Sequence, residues 1–475
     1  MVAMRWFMRV LGLVNIAILA RILAPEDFGL VAMAMVAVGI ADGLLNVGVD
    51  RAVLQRGHGD AAYFGTAWTI RLCQSTLIAG VTLALSPVAV AYYEDGRIGT
   101  ILAIVAAGIF VRGFESIGVV LLRQQLRFSR EFVFYVATQL LSVPATILLA
   151  LELRSYLALA LGMLFRDVAQ TALSYALAPY RPQPTLQRWR DLWSISQWNL
   201  ALGMISAIHG RIAVLILGKV ASPDLVGRFS VATELALTPT SEIASPIMRA
   251  FFPGFVKLRD EPERLRAAVL VAFEAILMIG AAVCLGLVVV AEELVVLALG
   301  ARWSAAGPLV QTLAVGAAFR IAEIFLVEQL FVVGRVKQIV AVFAATTLVF
   351  AAGTLPAFEA FGLVGVAALF VVTQAIGALV FTRLAADTIQ VPFTALLRCA
   401  LRPAAAGIAM VLTVELVAPW WHLPIVAMFA TKIVCGAAVF LGVAFLTWRL
   451  RGSPPGLERK VIEILGSIAN RLRRR

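Results

Sequence analysis

Seven basic residues lie inside stretches that are otherwise almost wholly apolar: Arg21, Arg71, Arg112, Arg166, Arg211, Arg320 and Lys432. A charge in such surroundings is costly unless it meets water, an opposite charge or a ligand, so each is a candidate for chemistry. Guanidinium suits one task above others, because its planar fork donates paired hydrogen bonds to phosphate or carboxylate oxygens. Two of the seven are followed one helical turn later by an acid, in Arg112-x-x-Glu115 and Arg320-x-x-Glu323, and each helix is expected to neutralise its own charge there. Arg166 precedes Asp167, yet adjacent helical residues point about 100° apart and pair poorly. Arg21, Arg71 and Arg211 are candidate anion ligands, with Arg51 and Arg249 beside them at the ends of apolar stretches, and Arg166 stands evenly between a functional and a structural role. Arg51 and Arg249 read equally as arginines retained on the cytoplasmic side, and Arg21 as the partner of Glu26 and Asp27 at the interface. Asp42, Glu274 and Glu328 have no evident local partner. Any of these acids could take up a proton or Na⁺ and couple movement to a gradient, while Glu274 and Glu328 could equally sit at helix ends.

Other chemistries find no footing. His58, His209 and His422 form neither a triad nor a metal spacing, and Cys73, Cys284, Cys399 and Cys435 show no C-x-x-C pattern. A phosphate-cradling G-x-x-x-x-G-K-[ST] loop is missing from the sequence, so ATP hydrolysis on this chain is not expected. The reading is of a protein that is not an enzyme, with no cofactor and no metal.

The elements that must position these charges are membrane helices. Of 475 residues 61% are hydrophobic and 14% charged, whereas soluble domains carry roughly 25% charged residues to face water. About fourteen spans of some 20 apolar residues can be marked, each long enough for roughly 30 Å of hydrocarbon. They cover 4–23, 28–48, 66–92, 98–121, 131–151, 156–178, 193–218, 226–251, 267–290, 309–333, 339–357, 362–385, 403–419 and 424–448. The fold class is therefore all-α integral membrane. With the N-terminus inside, Lys and Arg crowd the cytoplasmic loops and tail, and the outer side keeps only Arg97, Arg154, Lys219, Arg228 and Arg302. Both termini are thus expected in the cytoplasm. The net charge of +12 belongs to that bias rather than to nucleic-acid binding. Beyond Pro454 and Pro455, Leu457, Val461, Ile464, Leu465, Ile468 and Leu472 recur at helical spacing, as expected of a basic helix lying on the membrane surface.

A repeat organises the spans. LARILAPEDFG at 19–29 and LGKVASPDLVG at 217–227 align at one constant offset, pairing Arg21 with Lys219, Pro25 with Pro223, Gly29 with Gly227 and, further on, Arg51 with Arg249. The Arg-x-x-Glu motifs echo each other in spans four and ten. Two parallel-repeat six-helix lobes follow, residues 1–186 and 187–386, then an accessory helix pair at 387–448 and the basic amphipathic tail at 449–475.

With these motifs in view, ARILAPEDFGLVAMAMV followed by ADGLLNVGVDRAVLQ resembles the opening of bacterial polysaccharide and O-antigen flippases. GKVASPDLVGRFSVATELALTPTSEIASPIMRAFFPGF and ALGARWSAAGPLVQTLA continue the likeness, which covers most of residues 4–385. That family belongs to the multidrug, oligosaccharidyl-lipid and polysaccharide exporter superfamily. The resemblance implies a V-shaped pair of lobes in the bacterial inner membrane that turns over polyprenyl-diphosphate-linked sugars by alternating access. Its implied partners are the lipid-linked oligosaccharide, membrane lipids and components of polysaccharide polymerisation or export. The RVLG run at 9–12 and the ARI run at 20–22 are also similar to lipid II flippases, which gives Arg21 a cavity role. Asn15 stands where that group has a second arginine, a departure that counts against lipid II as cargo.

Two other functions compete. A cation-coupled multidrug exporter would share the fold, but cationic cargo needs buried acids, and spans one and seven hold Arg without Asp or Glu. A membrane glycosyltransferase or polymerase would need a long catalytic outer loop, and the longest here, 291–308, carries no catalytic constellation.

Overall fold

Proline and aspartate mark where the helices begin. The computed structural model describes residues 2–46, 48–49, 53, 60–178, 180–189, 208–257 and 261–452. After α1 (Val2–Ile22), Pro25 fills the first turn of α2 (Pro25–Leu45), where it forfeits no helical hydrogen bond. The Asp27 carboxylate reaches back to accept from the Ala24 N–H at 2.9 Å. Asp60 caps α3 (Ala61–Tyr93) by accepting from the Tyr63 N–H at 2.8 Å. The chain returns through α4 (Arg97–Gly113) and α5 (Gly118–Gln124), bent by 61° at the residues between them. Next come α6 (Phe128–Leu153), α7 (Tyr156–Leu177), the short α8 (Ile212–Val220) and α9 (Pro223–Lys257).

The second part opens with α10 (Pro262–Leu299), closed by Gly300 at φ 98° and a 3-10 turn over Ala301–Ala306. Then α11 (Gly307–Val332) leads into α12 (Val336–Ile389). At 54 residues, α12 would measure about 81 Å if straight, far more than one crossing requires. Gly362, at φ 63° and ψ −150°, breaks it into two arms. The arms run back along each other, since Phe343 meets Phe381 at 5.3 Å and Phe350 meets Phe370 at 6.2 Å between ring centroids. The final pair is α13 (Phe393–Val417) and α14 (Ile425–Leu450).

Packing divides the chain into two compact units. The first holds residues 1–231 with 298–300, and the second holds 232–297 with 301–475. In the first, α2 is central, packed on α3, α4, α7 and α8, while α3 lies along α4 and α6 along α7. In the second, α11 packs on α12 and α13 on α14, around a core that includes Phe273, Ile321, Phe325 and Phe381.

Large side chains also cover the outside. Leu148, Leu348, Leu416, Val434 and Leu441 are each more than half exposed, an apolar surface that water would not tolerate and hydrocarbon welcomes. Among the described residues nine helices, or ten counting the bent α4–α5 pair, are long and apolar enough to cross a membrane, and no strand occurs. The chain is a multi-span, all-α membrane protein, the class read from its composition. Most of the expected span 193–218 lies outside the described residues, as do the surface helix expected after Pro454 and the site candidate Arg51. The backbone of Arg249 lies in α9, and its side chain is outside what is described. Expected span 98–121 is not one straight helix. Gly113 and Gly118 remove side chains at the bend, where a Cβ at Gly113 would come 2.8 Å from Ser75 Cβ and one at Gly118 would overlap the Ala178 carbonyl oxygen.

Candidate functional site

Helix α4 ends at Gly113 and the chain bends, and the backbone groups this frees have to be satisfied. Side chains from α3 and α7 do so. Arg71 Nη2 donates to the Glu115 carbonyl at 2.7 Å, Tyr175 Oη to the Phe114 carbonyl at 2.7 Å, and the Ser116 N–H to Ser174 Oγ at 2.9 Å. Ser116 Oγ in turn donates to the Ala178 carbonyl at 3.1 Å. The Glu115 carboxylate is buried, and its Oε2 accepts from Gln170 Nε2 of α7 at 3.0 Å. Arg71 and Glu115, two of the residues singled out by sequence, are therefore brought together at the break.

Arg112, expected to neutralise Glu115, is exposed, and no carboxylate among the described residues lies at hydrogen-bonding distance from its guanidinium. It acts electrostatically on Asp167 of α7, as Arg166 does. Asp167 is buried at 6% exposure, whereas Arg166 is open, with its Nη2 3.8 Å from Asp167 Oδ1. Arg211, at the start of α8, lays its guanidinium across α2 in the space left by Gly39 and donates from Nε to the Met35 carbonyl at 3.2 Å.

One end of the first unit is tied by charge. The two Pro-x-x-x-Gly turns of the repeat cross there: a Cβ at Gly29 would overlap the Pro223 carbonyl oxygen, and one at Gly227 the Pro25 carbonyl oxygen. Around the crossing Arg97 pairs with Glu26 at 2.7 Å and Asp95 at 2.8 Å, and Lys219 with Glu94 at 2.6 Å. Lys219 holds the exposed Glu94 carboxyl below its ordinary range, and Arg97 does the same to Asp95. Arg21 belongs to this end, its Nε donating to the Ala298 carbonyl at 3.3 Å. That places a cation at the carbonyl end of α10, where the helix dipole favours it.

The second unit repeats the carboxylate and amide in a dry setting. Glu323 on α11 is 4% exposed and accepts from Gln374 Nε2 on α12 at 2.9 Å, with Arg320 one turn before it. Glu274 finds distant partners in Arg402 Nη1 of α13 at 2.8 Å and Arg451 Nη1 at 3.7 Å. Lys432 of α14 pairs with Glu293 of α10 at 2.8 Å and donates to the Val289 carbonyl at 3.2 Å. These buried pairs fasten α13 and α14 to α10 at two levels roughly 28 Å apart along the helix. Between them lies an apolar cavity of about 580 Å³ lined by Pro239, Met278, Val283, Met410, Phe440 and the stem of Lys432. Of the other coupling candidates, Asp42 accepts from Asn46 Nδ2 at 3.2 Å near the end of α2, and Glu328 is exposed on α11. The four cysteines are free thiols. Gln170, Gln374, Arg402 and Glu293 were not foreseen. The two glutamines carried a signal, since an uncharged amide inside an apolar span needs a partner as much as a charge does.

The profile of a family described as polysaccharide biosynthesis protein matches residues 18–308. The chain belongs to that family. It is similar to the lipopolysaccharide biosynthesis protein WzxC of Escherichia coli (strain K12), 23% identical over 309 residues that make up 64% of this chain and 63% of WzxC. The chain thus spans less than two thirds of the length of the curated relatives it matches. Among solved structures it superposes on the inward closed lipid II flippase MurJ with a TM-score of 0.73 at 12% identity, covering 94% of this chain and 98% of MurJ. An inward-facing multidrug resistance MATE transporter gives 0.58 at 16% identity over 81% and 94%. At those identities the two likenesses show the fold.

Proposed function

We propose that this protein moves a polyprenyl-diphosphate-linked oligosaccharide across the bacterial inner membrane by alternating access, serving polysaccharide or lipopolysaccharide biosynthesis. The observation that carries the reading is the cationic first unit: Arg71, Arg112, Arg166 and Arg211 lie in or beside its spans, with Glu115 and Asp167 as the acids next to them. A surplus of guanidinium in a hydrated cleft suits an anionic headgroup and disfavours the cationic cargo of a multidrug exporter. Family membership and the WzxC likeness point the same way, and the cavity beside α14 offers an apolar bed for the prenyl chain. Both termini lie in the cytoplasm on this reading. Residues 1–186 and 187–386 form the repeated lobes, with 387–448 as the accessory pair. Arg21, Arg51 and Arg249 are taken to meet the headgroup along its path, and one of Asp42, Glu274 or Glu328 to couple it to an ion.

The test is reconstitution. Proteoliposomes holding the full chain and a fluorescent polyprenyl-diphosphate sugar on one leaflet should move the probe beyond reach of a membrane-impermeant quencher. Movement no faster than in protein-free vesicles, with or without an ion gradient, would overturn the reading.

A further inference from the structure

The contact between α4 and α7 is closed by glycine on one side and a charge on the other. Gly108 has no Cβ to offer, and one placed there would stand 2.8 Å from Asp167 Oδ2. One turn on, Thr171 Oγ1 donates to the Val111 carbonyl at 3.2 Å, so the two helices are held in register around Asp167. Although Asp167 is buried, its Oδ1 has no hydrogen-bond partner in the structure. A buried carboxylate oxygen left unsatisfied is expensive, and an unfilled acceptor at membrane depth is what a ligand donor would complete. The cations acting on it are Arg166 and Arg112, both exposed and neither within hydrogen-bonding distance of it. Exposed guanidiniums inside spans need water or an anion before them.

The second unit shows that the scaffold does not require this arrangement. Taking the Arg-x-x-Glu motifs and the Glu–Gln pairs as equivalent, Gly108 corresponds to Gly316, and Arg166–Asp167 to Phe370–Val371. A Cβ at Gly316 would meet the Phe370 ring at 2.7 Å and Val371 Cα at 3.5 Å. The same helix contact is thus sealed by an aromatic ring, and exchanging buried charges for well-packed apolar residues is often neutral for stability. Charges kept where apolar residues would serve are there for something other than packing.

We propose that Arg112, Arg166 and Asp167 form a sugar-diphosphate site, the two guanidiniums taking diphosphate oxygens and the Asp167 carboxylate accepting a hydroxyl of the first sugar. The trio keeps a net positive charge for a dianionic group and adds one acceptor for a donor beside it. This inference rests on the flippase reading and deepens it, by placing the headgroup on α4 and α7.

The experiment measures binding to the full-length protein in lipid nanodiscs with three probes: inorganic diphosphate, a short-chain polyprenyl diphosphate, and the same lipid bearing one N-acetylglucosamine. R112Q–R166Q should weaken all three by about tenfold or more, as loss of charge-assisted contacts implies. D167A should not weaken the two bare diphosphates, since it removes a negative charge beside the guanidiniums, and should weaken the glycosylated probe relative to them. Lipid probes binding while inorganic diphosphate does not would show that the headgroup is held only as part of a lipid, with the site intact if R112Q–R166Q abolishes that binding. To guard against misfolding, the wild-type protein is treated with phenylglyoxal, and labelling of Arg112 and Arg166 should slow when a bound probe is present. If the wild-type protein binds the lipid probes but R112Q–R166Q binds them equally and labelling is unprotected, the site is refuted and the flippase reading stands. Binding of no lipid probe by the wild-type protein would sink both.

Discussion

The stretch around Glu115 and the stretch around Glu323 are two solutions to one pattern. Each has arginine one turn before a buried glutamate and a glutamine two spans later that donates to it, at 3.0 Å in the first unit and 2.9 Å in the second. What surrounds them differs. Gly113, Ser116 and Gly118 stand where the second unit has Ile321, Ile324 and Leu326, and α4 breaks where α11 runs straight. Glycine lowers helix propensity by about 1 kcal/mol each, and serine offers its own hydroxyl to the backbone, so the helix yields there. The first unit spends that local freedom on polar contacts from Arg71, Ser174 and Tyr175. The second buries Phe273, Ile321 and Phe325 in a continuous core. The first stretch is polar and charged and its counterpart is apolar, and on the proposed function the cargo chemistry belongs with the polar one.

Filling the break should produce the largest effect. Gly118→Val would drive a branched side chain into the Ala178 carbonyl, costing about 3 kcal/mol or more, read as loss of monodisperse protein after solubilisation. Leu326→Val, at the equivalent place in the second unit, removes one methylene and should cost about 1 kcal/mol. Equal losses would mean that the two stretches are not built differently.

The ion pairs on α10 come next. Arg402→Met leaves Glu274 with only the 3.7 Å contact to Arg451, and Lys432→Met strands Glu293, each expected to cost about 3 kcal/mol in thermal unfolding of the detergent-solubilised protein. Replacing both partners with apolar residues should restore most of the loss. A third comparison is finer. Gln374→Leu removes the one hydrogen-bond donor that Glu323 has among the described residues and should cost about 2 kcal/mol, against about 1 kcal/mol for Gln170→Leu beside the wetter Glu115. The reverse order would show that the wet and dry assignments are exchanged.

The smallest effect concerns pH. Lys219 and Arg97 depress the folded-state pKa values of Glu94 and Asp95, so these pairs contribute fully above the ordinary carboxylate range and are lost only as pH falls through the depressed values. Melting temperature should therefore not change between pH 7 and pH 5 because of them. Lys219→Gln should leave that flat profile unchanged, as expected of an exposed pair.

Much of this architecture was legible in the chain. Apolar spans follow from hydrocarbon thickness, which acts on every residue alike. The two turns also touch, Gly29 and Gly227 each accommodating the other turn's proline carbonyl. Partnerships across sequence were harder to see. Arg112 and Glu115 are neighbours along a helix only if the helix continues, and the break sends Glu115 to Gln170 and leaves Arg112 facing outward. Glu274 looked partnerless because Arg402 lies far along the chain, and side-chain spacing on one helix says nothing about a second helix packed on it.

The central claim is that the charged contact between α4 and α7, and not its apolar counterpart at Phe370, handles a diphosphate-linked sugar. The direct measurement is surface glycan and intracellular lipid-linked sugar in a strain depending on this protein, comparing R112Q–R166Q with wild type at matched membrane abundance. The account predicts that surface glycan falls by about tenfold or more while lipid-linked sugar accumulates inside, and that Phe370→Leu at the mirrored position leaves both within twofold. Normal surface glycan in R112Q–R166Q, with no accumulation inside, would contradict it.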